Sequence, residues 1–249
     1  MRREMWAPGV SQSCGVEAAE AALAAGELRL LLVDGEASDP RLAALVARAR
    51  EAGVRVRSAT ARVLERLSLV SPAPAVLALV GRDPDADLEA VLARRGAIWL
   101  LVGVAYPGNV GMVLRTAEVS GADAVVVEPA FDHTGKRAAL RASMRADRFM
   151  PVFWQRPERL LGAAERSGHE LIALDDTGTR APWELDLRGP CVFVVGAENG
   201  GIPSALLERC QARVRVPMAG FIPCYNLQAA VSAVAVERLR QLGTQSRAG

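Results

Sequence analysis

The chain has 249 residues, 51% of them hydrophobic and 23% charged, a balance typical of a folded globular protein of one large or two small domains. No apolar run approaches the ~20 residues that a membrane span requires. The basic N-terminus, Met1–Gly26, lacks the uninterrupted apolar stretch of a secretory signal, so a cytoplasmic protein is expected. The net charge of +2 gives no electrostatic argument for a nucleic-acid partner. Lys136 is the sole lysine, and the preference for arginine and alanine reads as a GC-rich genome before it reads as function. Cys14, Cys191, Cys210 and Cys224 form no CxxC pair, so reduced thiols are expected, with neither a metal site nor a disulfide frame.

In chain order, the apolar run Leu28–Val33 reads as a buried strand, followed by the Asp34-Gly35 turn. A helix is expected over Leu42–Ala52, a strand over Val54–Val56, a short helix over Ala61–Leu67 and a strand over Ala75–Val80. The turn-rich, charged stretch Gly81–Asp87 reads as a linker, dividing the chain into domains 1–87 and 88–249. Beyond it, a helix over Leu88–Arg95 leads into a second alternation. Strands are expected at Ile98–Val104, Ala124–Val127, Phe149–Trp154, Leu171–Leu174, Cys191–Val195 and Arg213–Val216. Helices are expected at Val110–Ser120, Arg137–Arg145, Glu158–Ser167, Pro203–Cys210 and Leu227–Leu242, with a frayed tail after Gln241. Such alternation implies an α/β fold, with a mostly parallel sheet covered by helices on both faces. Sheets of this kind bind ligands beyond the carboxyl ends of their strands, so those loops are the places to search for chemistry.

Three of those loops stand out. In the first, Pro107-Gly108-Asn109 forms a turn after a strand, and Arg115 lies six residues beyond Asn109. That spacing is roughly 240° around a helix, so the two side chains converge only if Asn109 lies in the loop and folds back. A solvated helix arginine and a phosphate-binding arginine both remain open from this loop alone. The second loop, Val195-Gly196-Ala197-Glu198-Asn199-Gly200-Gly201-Ile202-Pro203, does not match a dinucleotide fingerprint. It places the carboxylate of Glu198 where it needs a partner or water. The third runs from Val214 to Gln228, with Pro217, Gly220 and Pro223 holding an irregular backbone and Asn226 positioned to cap the last helix. Neither His133 nor His169 belongs to these loops, and both read as surface or loop histidines.

Taken in this order, the three loops resemble the signature motifs of the SpoU (TrmH-like) branch of the SPOUT RNA methyltransferases. Pro107–Ala117 is similar to the first motif and Val195–Pro203 to the second. Val216-Pro217-Met218-Ala219-Gly220 with Cys224-Tyr225-Asn226-Leu227-Gln228 is similar to the third, and Arg141-Ala142-Ser143-Met144 to a segment between the first two. The resemblance spans about residues 97–242. Cys224-Tyr225 replaces the usual Ser-Leu of the third motif, and Arg145 stands where glycine is common.

The resemblance implies a C-terminal trefoil knot preceded by a small α/β domain that binds substrate RNA. It implies S-adenosylmethionine as cofactor, against Leu174, Val195, Gly196, Val216, Met218, Cys224 and Leu227. The implied reaction is methyl transfer to a ribose 2′-hydroxyl of RNA, ribosomal before transfer RNA, by a homodimer that needs no metal. Arg115, Asn109, Glu198 and Asn226 are the implied catalytic residues, with Arg115 assisting activation of the nucleophile. A guanidinium keeps its proton at any relevant pH, so an electrostatic role suits Arg115 better than that of a base. Methylation of a base nitrogen, or an RNA-binding relative without catalysis, are the competing readings. The Asn109–Arg115 pattern argues against the first, and retention of all four polar residues argues against the second.

Overall fold

A computed structural model describes residues 11–128 and 131–245. The expectation of a missing secretory signal and the end of the frayed tail fall partly outside these residues. The chain forms two compact units, the first ending at Asp83 and the second beginning at Pro84.

The first unit contains β1 (Gln12–Cys14), α1 (Val16–Ala24), β2 (Leu28–Asp34), α2 (Pro40–Glu51), β3 (Arg55–Ala59), α3 (Ala61–Leu67) and β4 (Val76–Val80). Its sheet has the order β1-β4-β2-β3, with β2 and β3 parallel and the other two pairings antiparallel. Leu28, Leu31, Val76 and Ala78 meet Ala19, Leu42, Leu45 and Ala49 of the helices in one core. The side chain of Asp39 accepts a hydrogen bond from the Arg41 N–H and opens α2, which has Pro40 in its first turn, as both residue types favour. Sequence reading missed β1 and α1. The first is a three-residue polar edge strand with no periodic signal. The second is alanine-rich, with only Ala19 and Ala22 buried, so its apolar face is hard to see.

The second unit contains α4 (Leu88–Ala93), β5 (Ala97–Leu101), α5 (Pro107–Val119), β6 (Ala124–Val127), α6 (His133–Ala142) and β7 (Val152–Trp154). It continues with α7 (Pro157–Arg166), β8 (Glu170–Leu174), β9 (Cys191–Val195), α8 (Ser204–Leu207), β10 (Ala212–Val214) and α9 (Leu227–Gln245). Its six strands run parallel in the order β10-β8-β9-β5-β6-β7. Alternation within β5 feeds two cores. Trp99 and Leu101 pack with α5, α6 and α9 on one face, and Ile98 and Leu100 with α4, α7 and α8 on the other. Trp99 and its register partner Phe193 stack at 4.6 Å between ring centroids, tying β5 to β9 at the centre of the sheet.

That central pair is also where the chain reverses its direction of travel across the sheet. From β5 it winds outward through β6 and β7, then returns to the other side for β8, β9 and β10. Doubly wound sheets leave a crevice for ligands at such a switch point, here beyond the carboxyl ends of β5 and β9.

Three expectations need correction. Pro107, Gly108 and Asn109 are not a separate turn. Proline occupies the first helical position, where its missing N–H is harmless, so α5 begins at Pro107 and Asn109 lies inside its first turn. His169 is a loop residue but is buried, its Nδ1 paired with Ser167 Oγ at 2.9 Å. Burial and the nearby Arg95 charge hold its pKa below the usual imidazole range. The last helix continues through Gln245 instead of fraying after Gln241.

Gly111 sets how closely α6 approaches α5. A Cβ there would lie 2.5 Å from both the Ala139 carbonyl oxygen and the Ala142 Cβ. Gly111→Val is therefore expected to cost about 1–3 kcal/mol through overpacking. Urea denaturation checks this, and an unchanged midpoint would mean that the helices separate freely.

Candidate active site

The crevice collects the loops that the sequence singled out. Leu101, Val195, Leu174 and Val214 stand in register at the carboxyl ends of β5, β9, β8 and β10, so the loops after these strands emerge side by side.

The loop after β9 is a tight reversal. The Ala197 and Gly201 backbones exchange hydrogen bonds of 3.1 and 3.2 Å, and Gly200 and Gly201 have φ angles of 96° and 64°. Both lie in the left-handed region that glycine enters without steric cost. Gly196 is buried against the returning Gly201–Ile202 backbone, leaving no room for a side chain. The reversal holds Glu198 against the start of α5. Glu198 Oε2 accepts the Ala105 N–H at 3.0 Å, and Oε1 accepts Asn109 Nδ2 at 2.6 Å. Partial burial pushes the Glu198 pKa up, but the hydrogen bonds from Ala105 and Asn109 outweigh it and hold the group below the ordinary carboxylate range. It is an anion at neutral pH.

Asn226 continues the chain of contacts. Its Nδ2 donates to Asn109 Oδ1 at 3.4 Å, while its own Oδ1 accepts the Gln228 N–H at 2.9 Å in the first turn of α9. The capping role and the site role are thus filled by one side chain. Each amide has a defined orientation, because Glu198 accepts only and the Gln228 N–H donates only. Three residues from the three separate motifs form one hydrogen-bonded line, Asn226 to Asn109 to Glu198.

Arg115 is not part of that line. It is exposed on α5 and makes no hydrogen bond or ion pair among the described residues. With Asn109 inside α5, the fold-back required for the two to converge does not occur within the chain.

The remaining sequence-selected residues surround the third loop. Val195 and Gly196 are buried; Leu174, Val216, Met218 and Leu227 are half-buried, and Cys224 is exposed. Leu174, Val216 and Leu227 pack against the core that contains Phe193 and Val195. The Tyr225 hydroxyl donates to the Pro217 carbonyl at 3.2 Å and closes the loop on itself. Across Met218–Tyr225, no backbone N–H donates a hydrogen bond among the described residues. Apolar side chains beside unused backbone donors match what a flat heteroaromatic ring requires, so the residues present fit the adenosine part of S-adenosylmethionine.

Sequence reading missed two contributors. Glu128, after β6, accepts the Gly103 N–H at 2.9 Å and fixes the start of the first loop. The segment Asp175–Arg180, after β8, lies along β10: the Arg215 N–H donates to the Arg180 carbonyl at 2.9 Å, and Gly178 abuts the Val214–Arg215 backbone. The Asp-Asp-Thr-Gly turn at 175–178 was the available signal for the second. Among the described residues no cluster of His, Cys, Asp or Glu could hold a metal ion, and no helix is long and apolar enough to cross a membrane. The four cysteines are unpaired, and burial raises Cys191 and Cys210 to about 11, which makes poor nucleophiles of both.

Comparison with known proteins gives this geometry a context. Residues 97–236 match the model of the SpoU rRNA Methylase family. The chain is 32% identical over 237 residues to the 23S rRNA (guanosine-2′-O-)-methyltransferase RlmB of Pseudomonas syringae pv. tomato, covering 91% of this chain and 94% of that one. It is 28% identical over 229 residues to RlmB of Xanthomonas axonopodis pv. citri, covering 87% and 90%. Among solved structures it is similar to the SpoU methyltransferase AviRb of Streptomyces viridochromogenes in complex with AdoMet. That match has 25% identity and a TM-score of 0.57, over 92% of this chain and 89% of that one. With more than half of its length matched by the family model and all three motif loops converging on one crevice, the chain belongs to the SpoU rRNA methylase family of S-adenosylmethionine-dependent RNA 2′-O-methyltransferases.

Proposed function

We propose that this protein methylates a ribose 2′-hydroxyl in ribosomal RNA, working in the cytoplasm as a homodimer. The observation that carries the reading is the Asn226–Asn109–Glu198 line at the sheet's switch point, which joins the three motif loops. The names of the 23S rRNA-methylating relatives support the choice of substrate.

S-adenosylmethionine, when bound, supplies a methyl group already activated by its positive sulfur. Leu174, Val195, Gly196, Val216, Met218, Cys224 and Leu227 would hold it. Apolar side chains would cover the adenine faces, and the unused N–H groups of the third loop would meet its edge. With the donor activated, the protein's task is to position the hydroxyl and stabilise the charge that develops on it. Asn109 is the polar group best placed to orient a ribose, because Glu198 and Asn226 fix both ends of its amide. Arg115 supplies positive charge for the flanking phosphate and the developing alkoxide.

What α5 and α9 leave exposed supports the dimer. Met112 and Val119 on α5 and Val236 on α9 are 45%, 70% and 63% accessible, an apolar surface that a second copy would cover. Arg115 lies on α5 between Met112 and Val119, so such a partner would pack beside it, and the family resemblance implies that it then serves the other protomer's site. The lie of Asp175–Arg180 along β10 supports a trefoil knot in the C-terminal part. The unit before Asp83 is assigned to RNA binding, by analogy with the substrate domains of the family.

Incubating the protein with labelled S-adenosylmethionine and 23S rRNA, then mapping 2′-O-methyl sites, tests the reading; label confined to base nitrogens would overturn it. Arg115→Ala is expected to lower turnover by about 10²–10³ while cofactor affinity and dimerisation persist. Near-normal turnover in a dimeric variant would remove Arg115 from the mechanism.

Glu198→Gln presents an amide N–H₂ to a site whose two ligands are both donors, Ala105 N–H and Asn109 Nδ2. Lower thermal stability and slower methyl transfer are expected at neutral pH. Because the folded-state pKa of Glu198 is depressed, its stabilisation is present above the unfolded value near 4.5 and is lost as pH falls through the folded value. The stability gap between wild type and Glu198→Gln should therefore narrow on acidification below about pH 4.5. A gap that stays constant across that range would show that the charge of Glu198 is not what stabilises the loop.

A further inference from the structure

Arginine is spread over the whole chain, but its electrostatic setting is not uniform. Arg41, Arg94, Arg145, Arg188, Arg209 and Arg240 each pair with a carboxylate at 2.6–2.9 Å. The segment Phe131–Met150, which includes α6, concentrates positive charge beside the first motif helix. It holds five strong bases, Lys136, Arg137, Arg141, Arg145 and Arg148, and only two carboxylates. Both carboxylates are engaged locally. Asp132 caps α6 through the Gly135 N–H at 2.7 Å, and Asp147 pairs with Arg145 at 2.9 Å. Arg137, Arg141 and Arg148 are exposed and have no carboxylate partner among the described residues.

Arg137 and Arg141 stand four residues apart, and so repel each other on one helix face. That face is opposite Ala139, which is fully buried against α5. α6 contains no acidic residue to relieve the repulsion, whereas α7, on the other side of the sheet, intersperses Glu158 and Glu165 with Arg159 and Arg166. The contact between α6 and α5 is made at Gly111, and Arg115, one helical turn further along α5, shares that flank. The unpaired bases are thus one helix diameter, about 10–12 Å, from the flank of α5 that carries Arg115.

We propose that the outer face of α6, with Arg137, Arg141 and the adjoining Arg148, is a phosphate-binding track for the RNA strand flanking the target nucleotide. It rests on the RNA methyltransferase reading given above. Exposed, mutually repelling guanidiniums without carboxylates complement a polyanion, and their planar forks suit phosphate oxygens. Contacts of this kind position a strand without reading its sequence, so the track supplies affinity and register while the crevice selects the hydroxyl.

The test compares R137Q/R141Q with R159Q/R166Q, two variants of equal net charge altered on opposite faces of the sheet. Each full-length protein binds a fluorescein-labelled RNA hairpin across a salt series, and circular dichroism and S-adenosylmethionine affinity monitor folding. The slope of log affinity against log salt should become shallower by about 0.7–0.9 per lost contact in R137Q/R141Q and stay at the wild-type value in R159Q/R166Q. R137K/R141K, which keeps the charge, should retain most of the wild-type slope. Equal slopes in both glutamine variants would overturn the track while leaving the methyltransferase reading intact, provided that wild type still methylates 23S rRNA. Wild-type protein that neither binds nor methylates RNA would overturn both. Binding to phosphatidylglycerol vesicles that is lost only in R137Q/R141Q, with RNA binding unchanged, would assign the face to a membrane surface instead.

Discussion

A single carboxylate draws the crevice together. Glu198 must find donors once the loop after β9 turns it inward, and the nearest are the Ala105 N–H and the Asn109 amide. The start of a helix is rich in unsatisfied N–H groups and carries positive potential, so an anion is more stable there than elsewhere on the sheet edge. Once Asn109 is oriented by Glu198, its carbonyl is available to Asn226, and the third loop is joined to the first. Neutralising Glu198 would remove one of the two anchors of the Asn109 amide, leaving Asn226, which the Gln228 N–H orients, as the other.

The sheet makes that meeting possible. All strands of the second unit run parallel, so their carboxyl ends share one edge, and β5 and β9 lie side by side although about 90 residues separate them. The stacked Trp99–Phe193 pair and the two cores on either face keep the strands in register. Close approach of backbones then sets the loop positions. Gly111 lets α6 meet α5, and Gly196 lets the second loop fold back on itself. The departures from family pattern are accommodated locally. Met144 and Arg145 both take left-handed backbone angles, 57° and 63°, and the Arg145 guanidinium is paired with Asp147. That conformation explains why glycine suits the second of these positions.

Charge is organised on two scales. Inside the crevice, Glu198 is held anionic by short hydrogen bonds and needs no cationic partner. On the surface, most ion pairs are exposed and contribute little to stability. Around α6, Arg137, Arg141 and Arg148 are exposed and have no carboxylate partner among the described residues, so their charge is available to a polyanion although the net charge of the chain is only +2.

Legible in the sequence by itself were the α/β alternation, the turn-rich stretch within which the two compact units divide, and the three loops whose residues the structure joins. Each of these is a local property. Apolar runs of strand length, glycine and proline at turns, and motif spacing are all visible within a short window. Most strands of the second unit could be located for the same reason, because strands buried on both faces read as continuous apolar runs. What only the tertiary structure decided was non-local: which strands are neighbours, which side chains meet and which backbone groups remain unused. Asn109 could be named from its loop, but its pairing with Glu198 spans 89 residues and that with Asn226 spans 117, distances over which no periodicity carries information. The start of α5 at Pro107 could be read two ways, because Pro-Gly-Asn suits a turn while proline also suits the first helical position, and the structure takes the second. The polar strand β1 was invisible for the complementary reason, since its place at the sheet edge comes from the hydrogen bonds β4 offers and not from its own side chains.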